Sequence, residues 1–174
     1  LDAFSLRVAH SDELQALVAI DDAASEIYAT AGLKLDLGND HPFVAAEKLR
    51  WARAIKQGLA QLAVNQQGVP IGFATLGFLD QEPYLDQIAV LPGYMRRGVG
   101  TMLLGRAIAW SGERPLWLTT YAHFPWNRPY YERHGFVMVQ DRECGSELFV
   151  VLQEQRAALP DPDKRIAMVR RRQS

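Results

Sequence analysis

Residues 83–110 read Pro-Tyr-Leu-Asp-Gln-Ile-Ala-Val-Leu-Pro-Gly-Tyr-Met-Arg-Arg-Gly-Val-Gly-Thr-Met-Leu-Leu-Gly-Arg-Ala-Ile-Ala-Trp, a strand, a turn and a helix in succession. Residues 84–91 are rich in apolar and β-branched side chains and are stopped by Pro92-Gly93, so they predict a strand that loses its ladder at the proline. Arg96-Arg97-Gly98-Val99-Gly100-Thr101 then places cations and glycines where a helix begins, and Met102, Leu103, Ala107 and Trp110 carry an apolar face onward at helical spacing. The first turn of a helix presents backbone N–H groups, its dipole favours negative charge, and glycine permits close approach. With Arg96 and Arg97 alongside, the stretch suits a phosphate or pyrophosphate.

Missing residues narrow the ligand. A nucleotide-hydrolysing P-loop needs Lys-Ser/Thr after its last glycine, and Thr101-Met102 follows Gly100 here. A dinucleotide fingerprint needs a third glycine where Leu103 stands, and a turn directly off the strand rather than the excursion through residues 92–95. The alternative without a ligand is a plain surface turn.

Ile88-Ala89-Val90-Leu91-Pro92 followed by Arg96-Arg97-Gly98-Val99-Gly100 resembles the acyl-CoA-binding motif of the GNAT N-acetyltransferase superfamily. Tyr131-Glu132-Arg133-His134-Gly135-Phe136 resembles its C-terminal tyrosine-to-Gly-Phe signature, in the right order along the chain. The family pattern would have Gln or Arg at position 95, where this chain has Met95. The resemblance spans residues 70–136 well and the first sixty by general layout. It implies an acyl-CoA N-acyltransferase fold: an α/β domain whose mixed, mostly antiparallel sheet of about seven strands has splayed central strands and is flanked by helices. It also implies acetyl-CoA as cosubstrate, gripped by Arg96, Arg97, Gly98, Val99, Gly100 and Thr101. Ile88, Ala89 and Val90 would pair with the pantetheine amides, the Val90 N–H would bind the thioester carbonyl, and the Asn127 amide would hold the CoA arm. The side chains of Ile88 and Val90 are themselves expected to be core.

A chain of 174 residues, 48% apolar, suits one domain over 1–174. A formal net charge of -1, from 19 basic and 20 acidic residues, gives no pull toward nucleic acid or an anionic membrane. Cys144 is the sole cysteine, so an internal disulfide and a cysteine metal cluster are excluded and a reducing cytoplasm is expected. No metal is expected, no secretory leader or membrane-spanning run is read, and Leu1 in place of methionine suggests a trimmed start. A homodimer is compatible with all of this.

In chain order, residues 4–9 alternate as a first strand, and Ser11-Asp12 offers a cap for a helix carrying Leu14, Leu17, Val18 and Ile20. Residues 21–30 continue helically, 32–42 read as loop, and 43–57 as a helix stopped by Gly58. Residues 59–65 and 70–79 flank Gln66-Gln67-Gly68 as a hairpin, and 115–120 follow the central helix as a parallel strand. A helix over 124–134 with Pro125 near its start, a strand over 136–140 and a helix over 145–159 come next. Residues 165–169 are expected to close the sheet, and Arg170-Arg171-Arg172 to be a solvated end.

Acyl transfer from a thioester to an amine needs a neutral amine, a stabilised oxyanion and a proton for the departing thiolate. By resemblance Tyr131 supplies that proton, since tyrosine keeps its hydroxyl protonated at neutral pH. His123 is a candidate base because imidazole exchanges protons in that range. Asp86, Glu82 or a water are its rivals; Gln87, Thr119 and Thr120 are the other nearby positions. Tyr28, Trp51, Tyr84, Tyr121, Trp126 and Tyr130 form a candidate aromatic enclosure for the acceptor, part of which is expected to be core. Cys144 as a covalent acyl carrier is disfavoured, with Arg142 the nearby cation in sequence. The expected activity is transfer of acetyl to a primary amine of a small molecule. The alternatives are a protein N-terminal or lysine acetyltransferase, or a CoA-binding sensor without turnover.

Overall fold

The computed structural model describes residues 3–35 and 37–173. Residue 36 of the expected 32–42 loop, and residues 1, 2 and 174 of the expected 1–174 domain, lie outside the described residues. The fold is α/β: a seven-stranded, mostly antiparallel sheet in the order β1-β2-β3-β4-β5-β7-β6, flanked by helices. Strands are β1 Phe4–Val8, β2 Ala60–Asn65, β3 Pro70–Leu79, β4 Glu82–Val90, β5 Leu116–Tyr121, β6 Val137–Val139 and β7 Arg165–Arg170. Helices are α1 Leu14–Ala24, α2 Glu26–Thr30, α3 Pro42–Lys56, α4 Val99–Ser111, α5 Arg128–Arg133 and α6 Ser146–Ala158. Among the described residues, packing groups those of 3–76 with 87–110 in one compact unit, and 77–86 with 111–173 in another.

In the first unit β1 pairs antiparallel with β2 from Phe4↔Asn65 to Val8↔Gln61, and β2 pairs antiparallel with β3. The Asn65 side chain holds the intervening turn by accepting from the Gln67 and Val69 N–H groups at 3.0 and 2.9 Å. Leu17 and Ile20 of α1 and Trp51, Ala54 and Ile55 of α3 bury against Ala60, Leu62, Phe73 and Ala89 of the strands. Gly72 shapes the packing of α4. A Cβ there would lie 3.1 Å from the Ala89 carbonyl oxygen, 3.2 Å from Val99 Cγ1 and 3.3 Å from Leu103 Cδ1. Glycine at that point therefore lets α4 seat Val99, Leu103, Leu104 and Ala107 out of solvent.

The expected Ser11-Asp12 cap is corrected: α1 begins at Leu14 with Glu13 at the N-cap. The Glu13 carboxylate accepts from Arg7 at 2.6 and 2.8 Å and from the His10 N–H at 2.7 Å, fastening the helix entry to β1. Helix α3 opens one residue earlier than expected, because Pro42 fits the first helical position and His41 Nδ1 accepts from the Phe43 N–H.

In the second unit β5 pairs parallel with β4 at Tyr84↔Trp117 and antiparallel with β7 along its whole length. The strand expected over 165–169 is β7, Arg165–Arg170, and it lies inside the sheet instead of closing its edge. β7 slots between β5 and the three-residue β6, because six register pairs bind it to β5 and leave the short strand at the edge. Asp80 and Gln81, at φ 52° and 62°, make the two-residue β3–β4 hairpin. Asp80 also caps α6: its carboxylate accepts from the Glu147 and Leu148 N–H groups at 2.9 and 3.0 Å, and the Glu147 carboxylate accepts from the Asp80 N–H at 2.5 Å. A Cβ on Gly145 would fall 2.1 Å from the Asp80 carboxyl carbon, so the close seat requires glycine.

Two further expectations are corrected in this unit. The helix foreseen over 124–134 is α5, Arg128–Arg133; Pro129 rather than Pro125 stands in its first turn, and residues 125–126 are turn, with the Phe124 and Trp126 rings stacked 4.8 Å apart. Of the triple arginine, Arg171 and Arg172 are exposed as expected, whereas Arg170 is half-buried as the last residue of β7. Arg170 Nε donates to the His134 carbonyl, Arg171 lies over the Trp117 ring at 5.4 Å, and Arg172 pairs with Glu113.

The Glu13 carboxyl is drawn down from 4.5 to about 2, foremost by its hydrogen bond to Arg7. A lowered folded-state value stabilises above the ordinary carboxyl range and is lost as pH falls through it. Urea denaturation should therefore find Glu13→Gln less stable by about 1–2 kcal/mol at pH 7, with the difference from the parent shrinking as pH falls from about 4.5 toward 2. A constant difference across that window would show that the Arg7 tie contributes nothing to it.

Candidate functional site

The strand-turn-helix that opens the sequence argument lies in the first unit. Along β4 the side chains alternate, and Ala89 turns into the apolar cluster with Leu17 and Ile20. The core role expected for the Ile88 and Val90 side chains is corrected: both are half-buried, and Ala89 between them is the core residue. The Leu91 N–H donates to the Ile71 carbonyl at 2.9 Å, after which Pro92–Tyr94 form a 3-10 turn. Arg96 and Gly98 take φ of 63° and 90°. The Met102 N–H donates to the Gly98 carbonyl at 3.0 Å, so the amides of Val99, Gly100 and Thr101 form the opening turn of α4.

Around that opening Arg96, Arg97, Gly98 and Thr101 are exposed, Gly100 is half-buried and Val99 is buried. The Arg97 guanidinium lies 5.6 Å from the centre of the Tyr94 ring, whose hydroxyl accepts from the Asn65 amide. A Cβ built on Gly98 meets nothing within 4 Å. Glycine is required there by backbone conformation, and the outer side of the turn is left open. A helix N-terminus, a bare backbone bend and two guanidiniums together fit a diphosphate. Further back along β4 the Gln87 amide donates to Asp21 at 2.6 Å, while Glu82 and Asp86 are half-buried.

The second unit holds Asn127, Tyr131 and His123. Tyr131 is buried on α5, its N–H donates to the Asn127 carbonyl at 3.0 Å, and its ring meets those of Tyr130 and Phe136 edge-on. The Phe136 N–H returns to the Tyr131 carbonyl at 3.1 Å, and Gly135, at φ 89°, makes the reversal possible. That is the local reason for a Gly-Phe pair after the tyrosine helix. Asn127 is buried at the N-cap of α5, yet its side chain does not cap the helix. His123 Nε2 lies 3.2 Å from Asp161 Oδ2.

Half of the expected aromatic enclosure is core instead. Trp51, Tyr84 and Tyr121 are buried, the last with its hydroxyl donating to the Pro160 carbonyl at 2.7 Å; Tyr28, Trp126 and Tyr130 stay half-buried. Thr119 is taken by Arg165 at 3.2 Å, and Thr120 is buried. Among the described residues no helix is long and apolar enough to cross a membrane, and no group of three or more His, Cys, Asp or Glu gathers to hold a metal.

Comparison with known proteins matches residues 17–136 to the acetyltransferase (GNAT) family. Similar folds occur in the PaiA N-acetyltransferase of Thermoplasma acidophilum, solved in complex with coenzyme A. The match has a TM-score of 0.67 at 15% identity and covers 98% of this chain and 99% of that one. A GNAT-family acetyltransferase of Staphylococcus aureus gives 0.68 at 20% identity, covering 97% and 98%. N-acetylglutamate synthase of Neisseria gonorrhoeae, complexed with coenzyme A and N-acetyl-glutamate, gives 0.67 at 17% identity over 100% of this chain and 36% of that one.

Cys144 packs beside the apolar cluster of Leu148, Leu152 and Val169, and burial, followed by the Asp141 charge, pushes its thiol above the ordinary value of 9.0. It is a poor nucleophile at neutral pH. Alkylation of the native protein by iodoacetamide should therefore be slow at pH 7 and still accelerating beyond pH 9, and Cys144→Ala should leave activity nearly unchanged. Rapid labelling at pH 7 would contradict that placement.

Proposed function

Because the chain belongs to the acetyltransferase (GNAT) family, a family of acyltransferases, we propose that it transfers acetyl from acetyl-CoA to a primary amine of a small molecule by direct attack. The observation that carries the cosubstrate is the start of α4, where Gly98 at φ 90° leaves open space beside exposed Arg96 and Arg97. The amides of Gly98 to Thr101 and the two guanidiniums would hold the diphosphate. Ile88, Ala89 and Val90 would pair through their backbone with the pantetheine arm, and Asn127 would contribute its amide.

In the reaction the amine nitrogen attacks the thioester carbonyl carbon, the C–N bond forms and the C–S bond breaks. The Val90 N–H stabilises the oxyanion. Tyr131 gives its hydroxyl proton to the departing thiolate, and His123 takes the proton that the amine loses. The Tyr131 ring is buried edge-on against those of Tyr130 and Phe136, which fixes its place on α5. Dependence on acetyl-CoA together with a lone free cysteine suits a reducing cytoplasm.

Incubation with acetyl-CoA and a panel of β-phenylethylamine, 1,4-diaminobutane, free lysine and a lysine-containing peptide, followed by thiol release, tests the class. Turnover with the small amines supports the proposal, turnover with the peptide alone redirects it to a protein acceptor, and CoA binding without turnover makes the chain a binding module. Gly98→Val should raise the CoA dissociation constant at least tenfold by calorimetry, because its side chain enters the open side of the turn. Tyr131→Phe should lower kcat roughly 100-fold while CoA affinity stays within about twofold. Unchanged affinity in the first variant or unchanged kcat in the second removes the corresponding role.

A further inference from the structure

The loop that follows α6 is locked to the end of β5 by main-chain and hydroxyl contacts. The Tyr121 hydroxyl donates to the Pro160 carbonyl at 2.7 Å, the Ala122 N–H to the Lys164 carbonyl at 2.8 Å, and the Lys164 N–H to the Asp161 carbonyl at 2.9 Å. Within this frame Asp161 takes a left-handed φ of 52°, a conformation that aspartate tolerates better than most residues. That backbone choice brings the carboxylate to the imidazole, with Oδ2 3.2 Å from His123 Nε2. The ring is held on other sides as well: its centroid lies 4.0 Å from that of Phe124 and 5.5 Å from that of Tyr121, the latter edge-on. Asp163 and Lys164 belong to the same turn as Asp161, and the Arg165 guanidinium sits 4.6 Å from the centre of the Tyr121 ring. Of these charges, the Asp161 carboxylate stands within ion-pair distance of His123.

We propose that Asp161 is a positioning residue for His123, accepting the Nε2 proton and so fixing the neutral tautomer whose bare nitrogen is Nδ1. A neutral imidazole donates from one nitrogen and accepts at the other, and an ionised carboxylate can only accept. Nδ1 is then the atom that takes the acceptor's proton as the C–N bond forms. The ring becomes an imidazolium, its Nε2–H stays on Asp161, and Asp161 keeps its charge throughout. The proton leaves to solvent, which a side chain 31% exposed can reach. The catalytic part rests on the acetyl-transfer reading above; the tautomer does not.

The test uses the full chain labelled with 15N-histidine. Long-range 1H–15N spectra taken where the ring is neutral should show His123 with a protonated Nε2 and an unprotonated Nδ1, and Asp161→Ala should convert this to a mixture of tautomers. With acetyl-CoA and whichever panel amine turns over, Asp161→Ala should lower kcat at least tenfold and leave CoA affinity within about twofold. Asp161→Asn, which retains an acceptor oxygen, should recover part of both signatures. A parent protein protonated at Nδ1, or an Asp161→Ala variant with unchanged tautomer or unchanged kcat, overturns the proposal. If the parent releases no thiol with any amine, the acetyl-transfer reading fails, and the spectra still decide whether Asp161 sets the ring.

Discussion

The fold around the first unit's site depends on the close approach of α4 to the sheet at Gly72. No side chain stands between the β3 backbone and Val99 and Leu103, and the carbonyl of Ala89 on β4 shares the same tight space. With the first turn of α4 pinned there, the path from Leu91 has little freedom. It must leave the strand, complete the 3-10 turn at Pro92–Tyr94 and double back through the positive φ angles of Arg96 and Gly98. The exposed guanidiniums and the opening amides are therefore set by buried packing on the helix's opposite side. The geometry proposed to take the diphosphate is thus a by-product of how the core closes.

The second unit solves a different problem, that of orienting side chains from short elements. Helix α5 has only six residues, too few to be stable by itself, and it is held by what flanks it. Gly135 reverses the chain so that the Phe136 N–H can return to the Tyr131 carbonyl, and Arg170 from β7 reaches the His134 carbonyl. The insertion of β7 between β5 and β6 supplies the rest. It carries Arg165 to Tyr121, and the turn before it carries Asp161 to His123. Residues far apart in sequence thus reach the end of β5 through one strand placement.

Much of the architecture was legible where a single rule dominated. The strand expected over 84–91 and found at Glu82–Val90, the glycine-punctuated start of α4 and the hairpin between β2 and β3 were each declared by local pattern. What escaped were features made by partners distant in sequence. Ser11-Asp12 looked like a cap because nothing local reveals that Arg7 holds Glu13 in that position. Pro125 looked like a helix start because Pro129 competes for the same role four residues later. Strand order could not be read from residues 165–169 at all, since hydrophobic alternation tells which face is buried and not which neighbour is chosen. For the site, glycine and arginine spelled out the turn, whereas Asp161 carried no signal: it resembles any loop aspartate until β7 is placed.

The mutual cap between Asp80 and Glu147 joins groups 67 residues apart in sequence. A ribosome releases the β3–β4 hairpin long before α6, so the amides at the head of that helix must be satisfied by water until the chain past Leu148 has emerged and found Asp80. The second unit consequently cannot mature in step with the emergence of its first hairpin, and its completion waits for α6 to follow.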